Sequence, residues 1–240
     1  MIRVGKFFFK YRNWLFIVLY LLLFVPSPTL FSIKYFGNNF YIIPLSLGLF
    51  TTVCGQLIRG LTIGLAYIIR GGKDGKVYAE RLVTEGMFYH CRNPLYVGNI
   101  LMLLGVGILS NSLIYIVAVM PVFLFIYQCI VLAEEQFLRE KFDHRFDLYC
   151  KQVNRWIPSL KGIVSTIRAM KFHWKRWLIK EYNTQYVWLT GLVLIILLKY
   201  PQLTGNNDKK RNLLLLILLP LLLLYYATIR YLKKSGTWQE

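Results

Sequence analysis

Gly86, Met87, Phe88, Tyr89, His90, Cys91, Arg92, Asn93, Pro94, Leu95, Tyr96, Val97 and Gly98 form the stretch on which the reading of this chain turns. Upstream, Glu80, Arg81 and Glu85 mark a charged loop; downstream, Leu95 to Leu109 carries no charge. Pro94 suits the first turn of a helix, where its missing N–H costs nothing. Asn93 before it predicts a side-chain cap. The run therefore reads as a polar loop feeding a membrane helix by its positive end. That end favours an anionic group such as a carboxylate or a phosphate.

The composition agrees with a membrane setting. The chain has 240 residues, 56% of them hydrophobic, and a mean hydropathy of +0.47. Soluble domains are usually about 45–50% apolar. The formal charge is +18, from 29 Lys and Arg against 11 Asp and Glu. The basic residues flank apolar runs, so they point to membrane topology and anionic lipid rather than to nucleic acid. Cys54, Cys91, Cys129 and Cys150 are scattered, with no C-x-x-C pair and no Cys/His ligand spacing; neither a metal site nor a disulfide framework is expected. Arg3, Lys6, Lys10 and Arg12 precede an apolar run that ends at Pro26 and Pro28 without a small-residue cleavage site, which reads as an uncleaved first membrane helix. The final residues, Gly236 to Glu240, do not make a prenylation box.

Working outward, apolar runs predict an all-α, polytopic membrane protein with six membrane helices. The expected spans are Trp14 to Phe31, Phe40 to Ile69, Leu95 to Leu109, Leu113 to Ala133, Tyr186 to Leu198 and Leu213 to Ile229, the fifth being short for a bilayer. Arg59 lies inside the second, where an arginine at the bilayer centre costs about 2.5–3.5 kcal/mol. It must face protein or water, or snorkel. Gly48, Gly55, Gly60 and Gly64 on the same run are spaced for close helix packing. Gly71, Gly72 and Gly75, among Lys73, Asp74 and Lys76, read as a turn. Ser110, Asn111 and Ser112 join the third and fourth spans into an antiparallel hairpin. Glu134 to Pro158 reads as a polar helix, with Phe137, Leu138, Phe142, Phe146, Tyr149 and Val153 at helical steps. Lys161 to Lys180 reads as a basic interfacial segment. The expected division is residues 1–70 as N-terminal membrane helices, 71–158 as a core of loop, helical hairpin and polar helix, and 159–240 as a basic interfacial segment with a C-terminal membrane hairpin. The basic loops place the N-terminus, the 70–93 loop and the 134–183 segment in the cytoplasm. The last hairpin fits that rule poorly, because its loop carries Lys199, Lys209, Lys210 and Arg211.

His90, His144 and His173 stand singly in polar segments and read as surface or interfacial side chains. The functional signal is convergence: the hairpin brings Arg92, Asn93 and Tyr96, at the start of the third span, to Glu134 and Glu135, at the end of the fourth.

Those residues carry a resemblance. Gly86, Phe88, Arg92, Asn93, Pro94, Tyr96 and Gly98, followed by Glu134, Glu135, Leu138, Phe142, Tyr149 and Pro158, resemble the isoprenylcysteine carboxyl methyltransferases and their relatives the phospholipid N-methyltransferases. Both halves of the pattern stand in order and at the right spacing over about 80 residues. Met87 departs from the usual Pro, Phe88 from Tyr, Asp143 from Gly and Phe146 from Tyr. Ile130 stands where the prenylcysteine enzymes carry an Arg. The resemblance implies S-adenosylmethionine as cofactor, bound in a pocket on the cytoplasmic side, and a lipid or lipid-linked methyl acceptor. It implies that Glu80, Arg81, Leu82 and Val83 line the adenosine side, that Phe88 packs there, that Asn93, Pro94, Leu95 and Tyr96 hold the methionine part, and that Glu134 binds from the fourth helix. Arg59, Arg92, Ile130 and Glu135 are the acceptor-side candidates. Two alternatives stay open: an NADPH-dependent sterol-type reductase, for which Arg139, Lys141, Arg145 and Lys151 would hold the 2′-phosphate, and a non-catalytic membrane scaffold.

Overall fold

A computed structural model describes residues 1–68 and 77–238, apart from the side chain of residue 13. The glycine-rich turn expected at 71–76 lies outside the described residues. Among the described residues the secondary structure is helical, with one isolated antiparallel bridge between Thr29 and Ser112.

The first helix, α1 (Ile2–Leu21), starts twelve residues before the expected Trp14 and ends before Pro26. Its basic residues therefore sit on the helix rather than ahead of it. α1 is bent by 76° between Ile2–Arg12 and Trp14–Phe24. A one-turn helix, α2 (Ile33–Phe36), precedes α3 (Ile42–Leu65), and Pro94 opens α4 (Pro94–Leu109) as its first residue. A π-helical turn, Tyr115–Val119, runs into α5 (Met120–Phe142). Pro121 has no N–H to donate there, and a widened turn is a usual accommodation. α6 (His144–Gln152), α7 (Ile163–Ala169), α8 (Trp174–Lys199) and α9 (Asp208–Lys234) complete the chain.

Among the described residues three helices are long and apolar enough to cross a membrane alone: Ile42–Leu65, Tyr115–Phe142 and Asp208–Lys234; the bent pair in α1 makes a fourth if it counts as one span. These helices mark an integral membrane protein; six spans are not borne out among the described residues. Only 6% of the apolar window of α9 is buried by protein, as befits a helix whose sides face lipid.

Two packing relations place the functional region. α4 lies antiparallel along α3, closer than along α5, its expected hairpin partner. A Cβ on Gly55 would stand 2.6 Å from the Gly98 carbonyl oxygen, and one on Gly98 would stand 2.8 Å from that of Gly55. Backbones this close exclude any larger residue. The second relation is a correction. The run 186–198, short for a span, is the latter half of a 26-residue helix, α8, and residues 174–180 belong to that helix rather than to an interfacial segment. α8 runs antiparallel to α3, with Arg176 at residues 63–64, Glu181 at Arg59 and Trp188 at Thr52. Arg176 donates from Nε to the Ile63 carbonyl at 2.8 Å and from Nη2 to that of Gly64 at 2.7 Å, satisfying carbonyls that a helix end leaves open. Trp188 Nε1 donates to Thr52 Oγ1 at 2.7 Å, and Lys199 Nζ to the Ser110 carbonyl at 3.0 Å.

The core is apolar and aromatic, with Leu109, Tyr115, Phe123, Ile126, Ile130 and Ile195 fully buried. Phe16 on α1 meets Phe123 and Tyr127 on α5 with ring centroids 5.2 and 5.5 Å apart, distances typical of favourable aromatic pairs. A satellite cluster of Phe146, Tyr149 and Val153 packs with Leu82, Leu138 and Phe142.

Candidate active site

The expected polar helix from Glu134 does not begin at Glu134. α5 continues without a break through Glu134 and Glu135 to Phe142. The chain then reverses at Asp143, whose φ of 45° and ψ of −126° end one helix and start α6. This is the position where the family pattern has glycine, and the backbone there is one that glycine adopts without steric cost. Gly86, by contrast, keeps its family residue at a φ of 62°.

The loop at 86–93 is pinned by the segment that follows α6. Arg92 N donates to the Asn154 carbonyl at 2.9 Å, Ser159 N to that of His90 at 2.9 Å, and the Tyr149 hydroxyl to that of Phe88 at 2.6 Å. His90 is not at the surface. It is 1% exposed, with Nδ1 at 2.9 Å from the Ser159 carbonyl and Nε2 at 2.9 Å from Thr166 Oγ1. Its neighbours identify a buried pin between loop and α7. His144 and His173 are exposed. Burial pushes the Cys91 thiol up from its ordinary range and likewise raises the Tyr149 phenol, so both stay protonated at neutral pH.

Asn93 does not cap α4 with its side chain. Its amide nitrogen instead lies 3.3 Å from Glu135 Oε1 and 3.3 Å from the Arg155 carbonyl. Glu135 is buried and bound by Arg155, which donates from Nε at 3.1 Å to each oxygen and from Nη2 at 2.8 Å to Oε2. Arg92 Nε approaches it at 3.6 Å without making a hydrogen bond. Glu134, one position earlier, receives the Tyr96 hydroxyl at 2.7 Å. The two adjacent glutamates therefore differ in kind: Glu135 holds the loop to α5, and Glu134 presents a carboxylate to a cavity.

That cavity has a volume of about 580 Å³, within the roughly 300–1,000 Å³ common for small-molecule sites. Glu80, Arg81, Leu82, Val83, Phe88, Asn93, Pro94, Leu95, Tyr96 and Glu134 all line it, as do Arg59, Arg92 and Glu135. Ile130 does not; it is fully buried in the apolar core. The 77–83 edge is held by Lys141 Nζ, which donates to the Ala79 carbonyl at 2.5 Å, and by Leu82 in the satellite cluster. Arg139, Lys141, Arg145 and Lys151 are absent from the cavity lining; Arg139 is paired with Asp147 at 2.8 Å.

Sequence reasoning missed much of the opposite wall. Phe9, Arg12, Phe16 and Tyr20 come from α1, Asn99 from α4, Tyr127 from α5 and Thr184 from α8. It also missed Glu181. This residue is fully buried and receives Arg59 Nη2 at 2.6 Å and Nε at 3.0 Å, while Arg59 Nη1 donates to Asn99. Arg59 thus faces protein. No local pattern announces a partner on another helix.

The residues suit S-adenosylmethionine on chemical grounds. Glu134 has no hydrogen bond besides that from Tyr96 among the described residues, so its carboxylate retains capacity for a cationic group. Arg92 Nε is a buried donor without an acceptor among the described residues. The N-terminus of α4 opens on the same cavity, and helix starts favour carboxylates.

Comparison with known proteins follows the same ground. Residues 45–145 match the model of a family described as phospholipid methyltransferase. The chain is 34% identical over 79 residues to the cobalt-zinc-cadmium resistance protein CzcN of Cupriavidus metallidurans, covering 33% of this chain and 36% of that protein. It is 30% identical over 82 residues to the nickel-cobalt-cadmium resistance protein NccN of Alcaligenes xylosoxydans xylosoxydans, covering 34% of this chain and 38% of that one. The matched stretch spans little more than a third of either relative. No solved structure matches. Among the described residues no three His, Cys, Asp or Glu side chains are grouped as metal ligands.

Proposed function

We propose, from the match of residues 45–145 to the phospholipid methyltransferase family, that this chain is an integral membrane methyltransferase that transfers a methyl group from S-adenosylmethionine to a membrane-embedded lipid or lipid-linked acceptor. The observation that carries the proposal is the single cavity lined at once by the 80–83 loop, Phe88, the start of α4 and Glu134.

S-adenosylmethionine, when bound, supplies an electrophilic methyl group on a sulfonium. The chain supplies position. Glu134, oriented by the Tyr96 hydroxyl, offers negative charge to the cofactor's cationic groups; the start of α4 and Arg92 offer donors to its carboxylate. Phe88 and the 80–83 main chain border the adenosine side. Methyl transfer depends on alignment of acceptor, methyl and leaving sulfur, and holding reactants in line supplies much of the rate. The acceptor enters beside α1 and α5, where the wall is aromatic. The active-site end, with the N-terminus and the 134–183 segment, faces the cytoplasm.

The test is ligand-dependent melting of the purified protein in detergent. S-adenosylmethionine or S-adenosylhomocysteine at about a hundred times its dissociation constant adds about 2.7 kcal/mol to the folded state and raises the melting temperature; NADPH leaves it unchanged. Incubation of membrane extracts with methyl-labelled cofactor then puts label into the lipid fraction. A shift from NADPH alone overturns the proposal in favour of a reductase, and no shift from either in folded protein favours a scaffold.

A further inference from the structure

One wall of the cavity is built outside residues 45–145, by α1, and it brings a guanidinium with it. Arg12 lines the cavity together with Phe9, Phe16 and Tyr20. Its guanidinium lies over the Phe9 ring, 4.4 Å from the centroid. Stacking of this kind occupies the planar face and leaves the N–H donors at the edge unused. Among the described residues Arg12 makes no hydrogen bond and no ion pair. The other arginines of the cavity are differently placed: Arg59 is bound to Glu181 and Asn99, Arg81 to Glu85, and Arg92 lies against the Glu135 that Arg155 already holds.

A half-buried guanidinium with an unused donor edge matches a phosphate oxygen pair in shape and charge. Its neighbours on the acceptor side are aromatic: Phe16 and Tyr127 stand 5.5 Å apart, and Tyr127 and Tyr96 5.4 Å. Tyr96 joins that wall to Glu134. Arg12 and Glu134 line the same cavity, near enough for the guanidinium charge to act on the carboxylate.

We propose that Arg12 is a substrate-anchoring residue, holding an anionic phosphate group of the acceptor and so setting where the acceptor's nucleophile lies. This rests on the methyltransferase reading above. The source of the phosphate is a lipid headgroup or phosphate from solution, and the experiment separates them.

The full-length protein in detergent is titrated with dihexanoyl phosphatidic acid, with dihexanoylglycerol (the same chains without phosphate), and with sodium phosphate, following its melting temperature. S-adenosylhomocysteine binding is measured in parallel by calorimetry. Phosphatidic acid is expected to stabilise the wild type. Arg12→Gln weakens its binding about ten- to a hundredfold, the loss of one charged hydrogen-bonding group, and Arg12→Lys retains part of it. Dihexanoylglycerol acts alike on wild type and Arg12→Gln, and S-adenosylhomocysteine binds both alike. An equal shift from sodium phosphate, lost in Arg12→Gln, upholds the anion site and assigns its ligand to the solution. The proposal is overturned if Arg12→Gln binds phosphatidic acid as the wild type does. It is also overturned if neither phosphate probe shifts the wild type, or if S-adenosylhomocysteine binding falls in the variant, which assigns Arg12 to the cofactor carboxylate. Failure of the methyltransferase reading shows separately, as absence of S-adenosylhomocysteine binding to the wild type.

Discussion

The Tyr96 hydroxyl donates to Glu134 Oε1 at 2.7 Å across the junction of α4 and α5, while Glu135 is closed off by Arg155 and Asn93. Adjacent carboxylates thus divide into one held by a single phenol at the cavity and one that holds the fold. Glu134→Gln is expected to weaken S-adenosylhomocysteine binding by one to two orders of magnitude, since a charged hydrogen bond is worth about 1.5–3 kcal/mol. Glu135→Gln is expected to lower the melting temperature, with a smaller effect on the affinity of what remains folded. Calorimetry and thermal melting of the two variants check this, and equal losses of affinity would contradict the division.

The Arg59–Glu181 pair is 3% and 0% exposed. Leaving one member of such a pair alone costs about 3–5 kcal/mol, whereas replacing both by apolar residues is often neutral. Glu181→Met and Arg59→Met are each expected to destabilise strongly, and the double variant to regain most of the loss. Denaturation of all four proteins in mixed micelles gives the coupling; additive single effects would count against it.

Asp143 holds a φ of 45°. Strain of this kind costs about 1–3 kcal/mol, and glycine returns roughly 0.5–1 kcal/mol of it to the unfolded chain's entropy. Asp143→Gly is expected to stabilise by about 1 kcal/mol, and Asp143→Ala to give no gain. A lower melting temperature for the glycine variant would show that the turn is held by something other than backbone preference.

Lys199 and Tyr200, at the end of α8, bond to the carbonyls of Ser110 and Leu109, at the end of α4. The loop of the last hairpin therefore lies at the same end of the molecule as Asn111, despite its basic residues. In a background without native cysteines, cysteine at 35, 111 or 206 is expected to label from outside intact cells, and cysteine at 74 or 161 only after permeabilisation. Labelling of 206 together with 161 would refute this orientation.

The start of α4 and its meeting with Glu134 were legible because both rest on short-range chemistry: proline at a helix start, an uncharged run after it, and glutamates toward the end of another apolar run. α8 was hidden because Lys175, Arg176, Lys180 and Glu181 interrupt its apolar pattern. Arg176 closes the end of α3 and Glu181 neutralises Arg59, and such partners are invisible to any reading that moves along the chain. His90 was misplaced for the same reason, its two bonds reaching residues 159 and 166. Arg12 reads as one more basic residue near a terminus until α1 is seen to bend against α5.

The distance between Arg59 and Glu181 along the chain, 122 residues, has a meaning for biogenesis. A ribosome adding about 5–20 residues per second makes Glu181 on the order of 6–24 s after Arg59 has been made. Asn99, 40 residues on, is the first partner to emerge. In that interval α3 carries an uncompensated cation, at an insertion cost of about 2.5–3.5 kcal/mol, and the wall of the cavity is incomplete. A nascent chain that stalls before α8 is thus left with a cation inside an apolar helix whose charge nothing yet made on the chain neutralises.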